Sequence, residues 1–520
     1  METKGDIMSI KSINLSRRAL NLLSVACTIS ALTASSLGLS TWSSEAQAQV
    51  RKNSVILGMI LEPTSLDPTT APAAAIGEIV HYNILEGLTK INANGAVIPL
   101  LAESWSMDPD GKLFNFKLRK GVNFQDGKPF DSSAVKFSFE RAKDEKSTNK
   151  AKKAVFDNIS RIDTPDAHTV ILVLNNPDGN FLFRLGENSA VILHPDSAAN
   201  AGTKPIGTGP YVLDAWAKGS SVTLSKWSGY RNPSTIKISK VTFRFINDSA
   251  AQVAALLAGD IDGMPRFGAL QSLKQFQGDK RFTVEIGDTA GKGIMTINNK
   301  KKPFDDVRVR RALMYAIDRK AFIDGVLEGL GKPIGSHMAP TDAGYVDLTG
   351  QYAYDPEKSK ALLKEAGIQT PLNVTLTLPP PPYARKGGEV VAAQLAKVGI
   401  IAKIENVEWA QWLGGTFKGN FDLTIINHVE PLDYMAYANP QYYFGYDSKA
   451  FRDLAAKHAA STNPKERTKL FGDLQRQITN DAVNAFIFNP AQAAVGKKNL
   501  KGMWASSPIF ANDLSALSWQ

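Results

Sequence analysis

Between Leu372 and Ile426 the hydrophobic positions switch repeatedly between two periods. Leu372–Leu378 and Ile400–Val407 read as strands, and Phe421–Ile426 is an apolar strand. Ala384–Val398 and Trp409–Lys418 carry helical spacing, the first stopped by Gly399. The order β-α-β-α-β predicts parallel strands joined by right-handed crossovers. Ligands of such sheets bind beyond the carboxyl ends of the strands. Three segments meet at that edge: Pro379–Arg385, Glu408–Trp409 and Asn427–Asp433.

The rest of the chain also mixes strands and helices. Val55–Ile60 predicts a strand and Ile76–Leu88 a helix. Residues 96–200 form an α+β stretch, with strands at Leu113–Leu118 and His168–Leu174 and a helix at Ser132–Ala142 capped by Asp131. Tyr211–Trp216, Val222–Lys226 and Val241–Ile246 predict strands, and Ser249–Leu257 the helix that follows. Residues 304–330 predict a helix capped by Asp306. Val309, Leu313, Ala316 and Ile317 make its apolar stripe, and arginines its outer face. Residues 356–366 have Asp355 as cap, Pro356 at the first position and Gly367 past the end.

Composition narrows the class. With 520 residues, 43% hydrophobic and 21% charged, the chain is globular and too long for one core. The net charge of +10 is spread along the chain, with no basic block interleaved with aromatics, so no nucleic-acid partner is expected. The one cysteine, Cys27, lies in residues 1–48, which read as a signal peptide. Arg17 and Arg18 close its basic region, an uncharged run follows, and Ala46-Gln47-Ala48 offers a cleavage site before Gln49. Ser16-Arg17-Arg18-Ala19-Leu20 resembles a twin-arginine signal, with the general secretory (Sec) route as the alternative. The mature protein is therefore expected in the periplasm, without thiol chemistry.

Catalytic patterns are nearly absent. Gly207-Thr208-Gly209 and Gly291-Lys292-Gly293 are too short to mark a nucleotide site. The six histidines are scattered, and His81, His168, His194 and His458 read as core or surface residues. The loop Asn427-His428-Val429-Glu430-Pro431-Leu432-Asp433 is different. It sets an imidazole and two carboxylates at the predicted ligand edge, with Tyr437, Tyr442, Tyr443, Phe444 and Tyr446 following. Paired carboxylates can serve acid/base catalysis or hold an ammonium group. Arg385 sits at a helix start, against the macrodipole, where a guanidinium suits a ligand carboxylate. Trp409 and Asn427 stand at the same edge and join the candidate set. No metal or cofactor is called for.

One run carries a resemblance: Lys302-Pro303-Phe304-Asp305-Asp306-Val307-Arg308-Val309-Arg310-Arg311-Ala312-Leu313-Met314-Tyr315-Ala316-Ile317-Asp318-Arg319. It resembles the family 5 solute-binding proteins of peptide and nickel ABC importers. Pro99–Trp105, Leu118–Phe124, Ala134–Phe139, Gly207–Tyr211 and Tyr354–Lys358 extend the match. The resemblance implies an α/β fold, the two-lobed periplasmic binding protein architecture (type II, cluster C), with an α+β domain inserted in the first lobe. It divides the chain into lobe I (residues 49–95, 205–295 and 491–520), the insertion (96–204) and lobe II (296–490). It further implies a monomer that captures a short peptide or similar small solute and delivers it to an inner-membrane permease with ATPase subunits. Dipeptide-binding members look most alike. There an arginine matched by Arg385 receives the peptide carboxylate, and an aspartate after the last strand receives the amine. Here the usual Gly-Trp and Asp-Pro of that loop are replaced by Asn427-His428 and Glu430-Pro431, followed by Asp433. A non-peptide solute (an opine, sugar conjugate, nickel or haem complex) stays open, as does, more remotely, a secreted hydrolase using Glu430, Asp433 and His428.

Overall fold

The computed structural model describes residues 53–520, apart from 72 and 462. The leader, residues 1–48, lies outside the described residues. Strand β1 (Ser54–Met59) leads to helix α1 (Ala74–Val80), then to β2 (Lys240–Phe245) and β3 (Phe282–Asp288). Next come β4 (Lys292–Ile297), α2 (Val307–Ala316), α3 (Arg319–Val326) and β5 (Leu372–Leu378). After them run α4 (Pro382–Ala396), β6 (Ile400–Asn406), α5 (Trp409–Gly414), β7 (Leu423–His428) and the long β8 (Asn484–Lys497).

These strands lie in one continuous hydrogen-bonded order, β6-β5-β7-β4-β8, then Gly263–Met264, β1 and β2. The expected β-α-β-α-β unit is present: β5 pairs parallel with both β6 and β7. β8 belongs to both ends of the sheet. Its first residues pair with β4 and its last with β3. The hydrophobic core divides at the same place. One cluster holds only buried residues between Ile294 and Phe488, and the others hold buried residues up to Phe282 or from Ala493 onward, with Leu330 packed against one of them. The chain thus passes between the two halves at 289–293 and 489–492. The two passages are tied by Asn489, whose Nδ2 donates to the carbonyls of Thr289 (2.7 Å) and Gly291 (2.6 Å). The halves also touch through Lys332, whose ammonium lies 2.8 Å from Asp288 Oδ2, through Asn180, whose Nδ2 donates to the Tyr434 hydroxyl at 2.7 Å, and through Arg467, which donates to the Gly179 carbonyl. Residues 102–174 form a separate four-stranded antiparallel sheet covered by the helix Ser132–Lys143.

Of the elements that differ from the sequence reading, three bear on the site, while the helix expected over 409–418 simply ends early, at Gly414. The helix expected over 76–88 stops at Val80, because Tyr82 takes a left-handed conformation (φ 65°). Asn83 then ties this turn down by donating to the carbonyls of Ile79 and Asn512 and accepting from the N–H of Leu514. Gly207 and Gly209 press directly on the carbonyls of Ile84 and Asn83, leaving no room for a Cβ. That packing, not a phosphate cradle, accounts for the Gly-Thr-Gly run. The helix expected over 304–330 breaks at Ile317 and restarts as α3, recapped by Asp318, which accepts from the N–H of Ala321. Its outer face is not wholly solvated. Arg310 turns inward and donates to the carbonyls of Phe304, Asp305, Asp481 and Ala482. Finally, the last strand of the unit begins and ends two residues later than expected, so Asn427 and His428 belong to β7 rather than to the loop.

Candidate functional site

The strand order decides which loops meet a cavity. β6 is the outermost strand, and its following loop carries Glu408 and Trp409. Arg385, in the first turn of α4, donates from Nη2 to Glu408 Oε1 at 3.0 Å. Trp409 opens α5, packs edge-on against Trp412 and stays exposed. Arg385 and Trp409 line neither of the two cavities described below.

β7 lies further in, beside β4, and its end builds the site. Lys292 and His428 are register partners across these strands. Lys292 is 1% exposed, and its ammonium sits 2.8 Å from Asp433 Oδ1 while donating to the Glu430 carbonyl at 2.5 Å. On the other carboxylate oxygen, His337 Nε2 lies at 3.1 Å and His428 Nδ1 at 3.5 Å. His428 Nε2 is 3.0 Å from the Tyr443 hydroxyl, which in turn is 3.1 Å from Thr296 Oγ1. Burial alone would raise the Asp433 carboxyl, but His337 and Lys292 outweigh it and hold the group well below the usual carboxylate range. Burial, with His337 and Lys292, pushes His428 down to about 3 against the pull of Asp433.

His337, His428 and Asp433 present three ligand atoms within 4.8 Å of one another, a spacing that suits a metal ion. The Lys292 ammonium already occupies the same carboxylate, and a second cation would meet its charge. The arrangement is a buried charge network that braces the loop. Neither Lys292 nor His337 stood out in the sequence. The available signal was a lysine opening a strand whose residues are all buried.

Two cavities adjoin this loop. The larger, about 590 Å³, is walled by Val429, Glu430 and Asp433 and, from the other half of the molecule, by His81, Glu187 and Phe510. The smaller, about 280 Å³, includes Asn427, Arg266 and Gln492. Val429, Ile509 and Phe510 line both, so the two are parts of one cleft. Of the expected residues, Asn427, Glu430 and Asp433 reach this cleft, and His428 supports it from behind. His81 and Glu187, read from sequence as ordinary or not singled out, form its opposite wall.

The molecule is thus a two-part α/β protein with its cleft between the parts. The chain belongs to the bacterial extracellular solute-binding proteins, family 5, whose model matches residues 96–449. It is 30% identical over 516 residues to the dipeptide-binding protein of Escherichia coli strain K12, covering 90% of this chain and 95% of that one. It is 31% identical to di/tripeptide-binding protein 1 of Pseudomonas aeruginosa, over 70% of this chain and 73% of that one. Among solved structures, a periplasmic binding protein of Helicobacter pylori in complex with the peptide STSA superposes with a TM-score of 0.73 at 26% identity, covering 91% and 99% of the two chains. A binding protein of Agrobacterium tumefaciens R10 in complex with agropinic acid gives 0.72 at 26%, over 90% and 98%. The fold is that of two-lobed periplasmic binding proteins, and the curated relatives are binding proteins.

Buried histidines give the protein a pH dependence. Burial pushes His81 and His428 down to about 3 and His458 to about 4, from an ordinary value of 6.5. Below pH 6.5 the unfolded chain takes up protons that the folded chain refuses, so stability falls as pH falls. At pH 5 each histidine contributes about 2 kcal/mol of destabilisation. Asp342 acts oppositely: burial pushes it up to about 6, and it returns about 1.4 kcal/mol at pH 5. Glu187, also raised by burial, adds to that return. The histidines dominate, so the unfolding temperature should drop between pH 7 and pH 5. Calorimetric scans across that range check the sign, and a constant or rising value would contradict it.

Proposed function

We propose that this chain captures short peptides in the cleft between its two halves and presents them to an inner-membrane ABC permease with ATPase subunits. The observation that carries the reading is the larger cavity. It has the volume of a small-ligand site, exposed apolar residues Val429 and Phe510 on facing walls, and carboxylates from both halves. The dipeptide- and tripeptide-binding names of its relatives favour the same ligand class. In this reading the leader, residues 1–48, sends the protein to the periplasm by the twin-arginine or Sec route, and the mature monomer acts from there. Lobe I, the insertion and lobe II keep the limits given above. Arg385 lines neither cavity in this structure; in this reading it reaches a peptide carboxylate by exchanging its exposed partner Glu408, a kind of surface pair worth about 0–1 kcal/mol.

A ligand that binds only the folded state raises stability by about 2.7 kcal/mol at a hundredfold excess over its Kd. Thermal-shift measurements with Ala-Phe, Gly-Leu and Ala-Ala-Ala should therefore show concentration-dependent stabilisation. A second reading, an opine or related solute, draws on the neighbour bound to agropinic acid and on the altered Asn427–Asp433 loop. A shift with agropinic acid and none with the peptides would replace the first reading by the second.

A further inference from the structure

Of the two loop carboxylates expected to hold a ligand amine, Glu430 and Asp433, the second is already neutralised from inside. Lys292 takes one oxygen of Asp433, and the other faces His337 and His428. Two other carboxylates line the same cavity, Glu430 from the loop after β7 and Glu187 from the opposite half. Among the described residues neither forms an ion pair. The cations around them are engaged or solvated. Lys292 is held by Asp433, Arg184 lies on Asp178 at 3.1 Å, and Lys150 is exposed. Glu187 is raised chiefly by burial, and the charge of Glu430 adds to this, while Arg184 and Lys150 oppose it. A cation arriving between the two acids would relieve both effects.

A separate observation points to the same place. His81 lines this cavity, is 1% exposed, and has no hydrogen-bond partner on either ring nitrogen. It stacks on Tyr82 at 3.8 Å, which fixes the ring. Buried polar groups are rarely left unpaired. Burial, with Lys150 and Lys90, keeps the imidazole neutral, so one nitrogen accepts and the other donates. An ammonium carries three N–H donors. Two carboxylates and an imidazole nitrogen supply three acceptors.

We propose that Glu187, Glu430 and His81 hold the cationic end of the captured solute, an ammonium or guanidinium group, and that Asp433 does not contact it. This assignment rests on the cleft being the binding site. It makes the solute one with a free positive charge next to an apolar portion, which packs between Val429 and Phe510. The segment that brings His81 comes from lobe I, Glu187 from the insertion and Glu430 from lobe II, so a bound cation joins all three.

Isothermal titration of the full mature chain with three probes tests it: Ala-Phe, N-acetyl-Ala-Phe and phenethylamine. Glu187→Gln and Glu430→Gln keep side-chain shape, and His81→Phe keeps the stacked ring. Each acidic substitution should weaken Ala-Phe by about 10- to 100-fold, and His81→Phe should weaken it less. Acetylation and the acidic substitutions remove the same interaction, so their losses should not add. Fully additive losses, or wild-type affinity for Ala-Phe in both acidic variants, would overturn the clamp while leaving peptide capture intact. Binding of phenethylamine but not Ala-Phe, with the same dependence on Glu187 and Glu430, would support the clamp and remove the peptide reading. No binding of any probe by the wild-type chain would overturn both.

Discussion

Lys292→Met should destabilise the folded protein by about 3–5 kcal/mol, the usual result of stranding one member of a buried ion pair. Asp433 would keep its charge at the wall of the cleft, with only His337 and His428 beside it. Adding Asp433→Asn removes the stranded charge, and the pair of substitutions should be much less harmful than Lys292→Met alone. Urea unfolding of the three variants measures this. A loss below about 1 kcal/mol for Lys292→Met would show that the network is solvated and of little structural weight.

Arg231→Met should have an effect of similar size, in the other half of the molecule. Glu86 is 1% exposed and receives both arms of the guanidinium, Nη1 to Oε2 at 2.7 Å and Nη2 to Oε1 at 2.8 Å. Thr208 donates to Oε2 at 2.8 Å. Removing the fork leaves a buried carboxylate with one hydroxyl, again about 3–5 kcal/mol. Arg231→Lys should recover only part of the loss, since an ammonium cannot reproduce the planar two-bond geometry. Full recovery by lysine would show that charge alone matters here. The pair also bears on the cleft. Glu86 lies in the turn that follows α1 and His81, and Arg231–Glu86–Thr208 pins that turn to the strands behind it.

The β-α-β-α-β unit was legible because each of its elements carries its own local signal. Leu372–Leu378 and Ile400–Asn406 have strand periodicity, α4 has an apolar stripe, and Gly399 stops the chain where its φ is 83°. The order of those strands in the sheet was not legible. Parallel strands share an edge, and sequence alone treats the three loops at that edge as equivalent. In the structure β6 lies outermost and β7 inside, next to the strands that run to the other half. That difference sends Glu430 into the cleft and leaves Arg385 against Glu408. His81 and Glu187 were beyond sequence reading for another reason. They meet Glu430 only through tertiary packing, and no short-range spacing connects them. The helix expected across 76–88 even hid the turn that presents His81, because the left-handed Tyr82 conformation is unusual for an aromatic residue.

The amide of Asn489 has a mechanical consequence. It grips the carbonyls of Thr289 and Gly291, so both passages between the halves are bound into one narrow joint. Sliding one half along β8 would tear both of its bonds, whereas turning about the joint strains neither. Turning separates Asn180 from Tyr434 and Arg467 from Gly179 instead, away from the joint. Hydrogen bonds of this kind contribute about 1 kcal/mol each, so these two contacts away from the joint add little to closure. In the proposed function the solute then supplies most of the free energy that brings the halves together. A molecule that fills the space without bridging its walls would leave the jaws no firmer than before, and discrimination among solutes becomes a contest over which of them can keep the two halves shut.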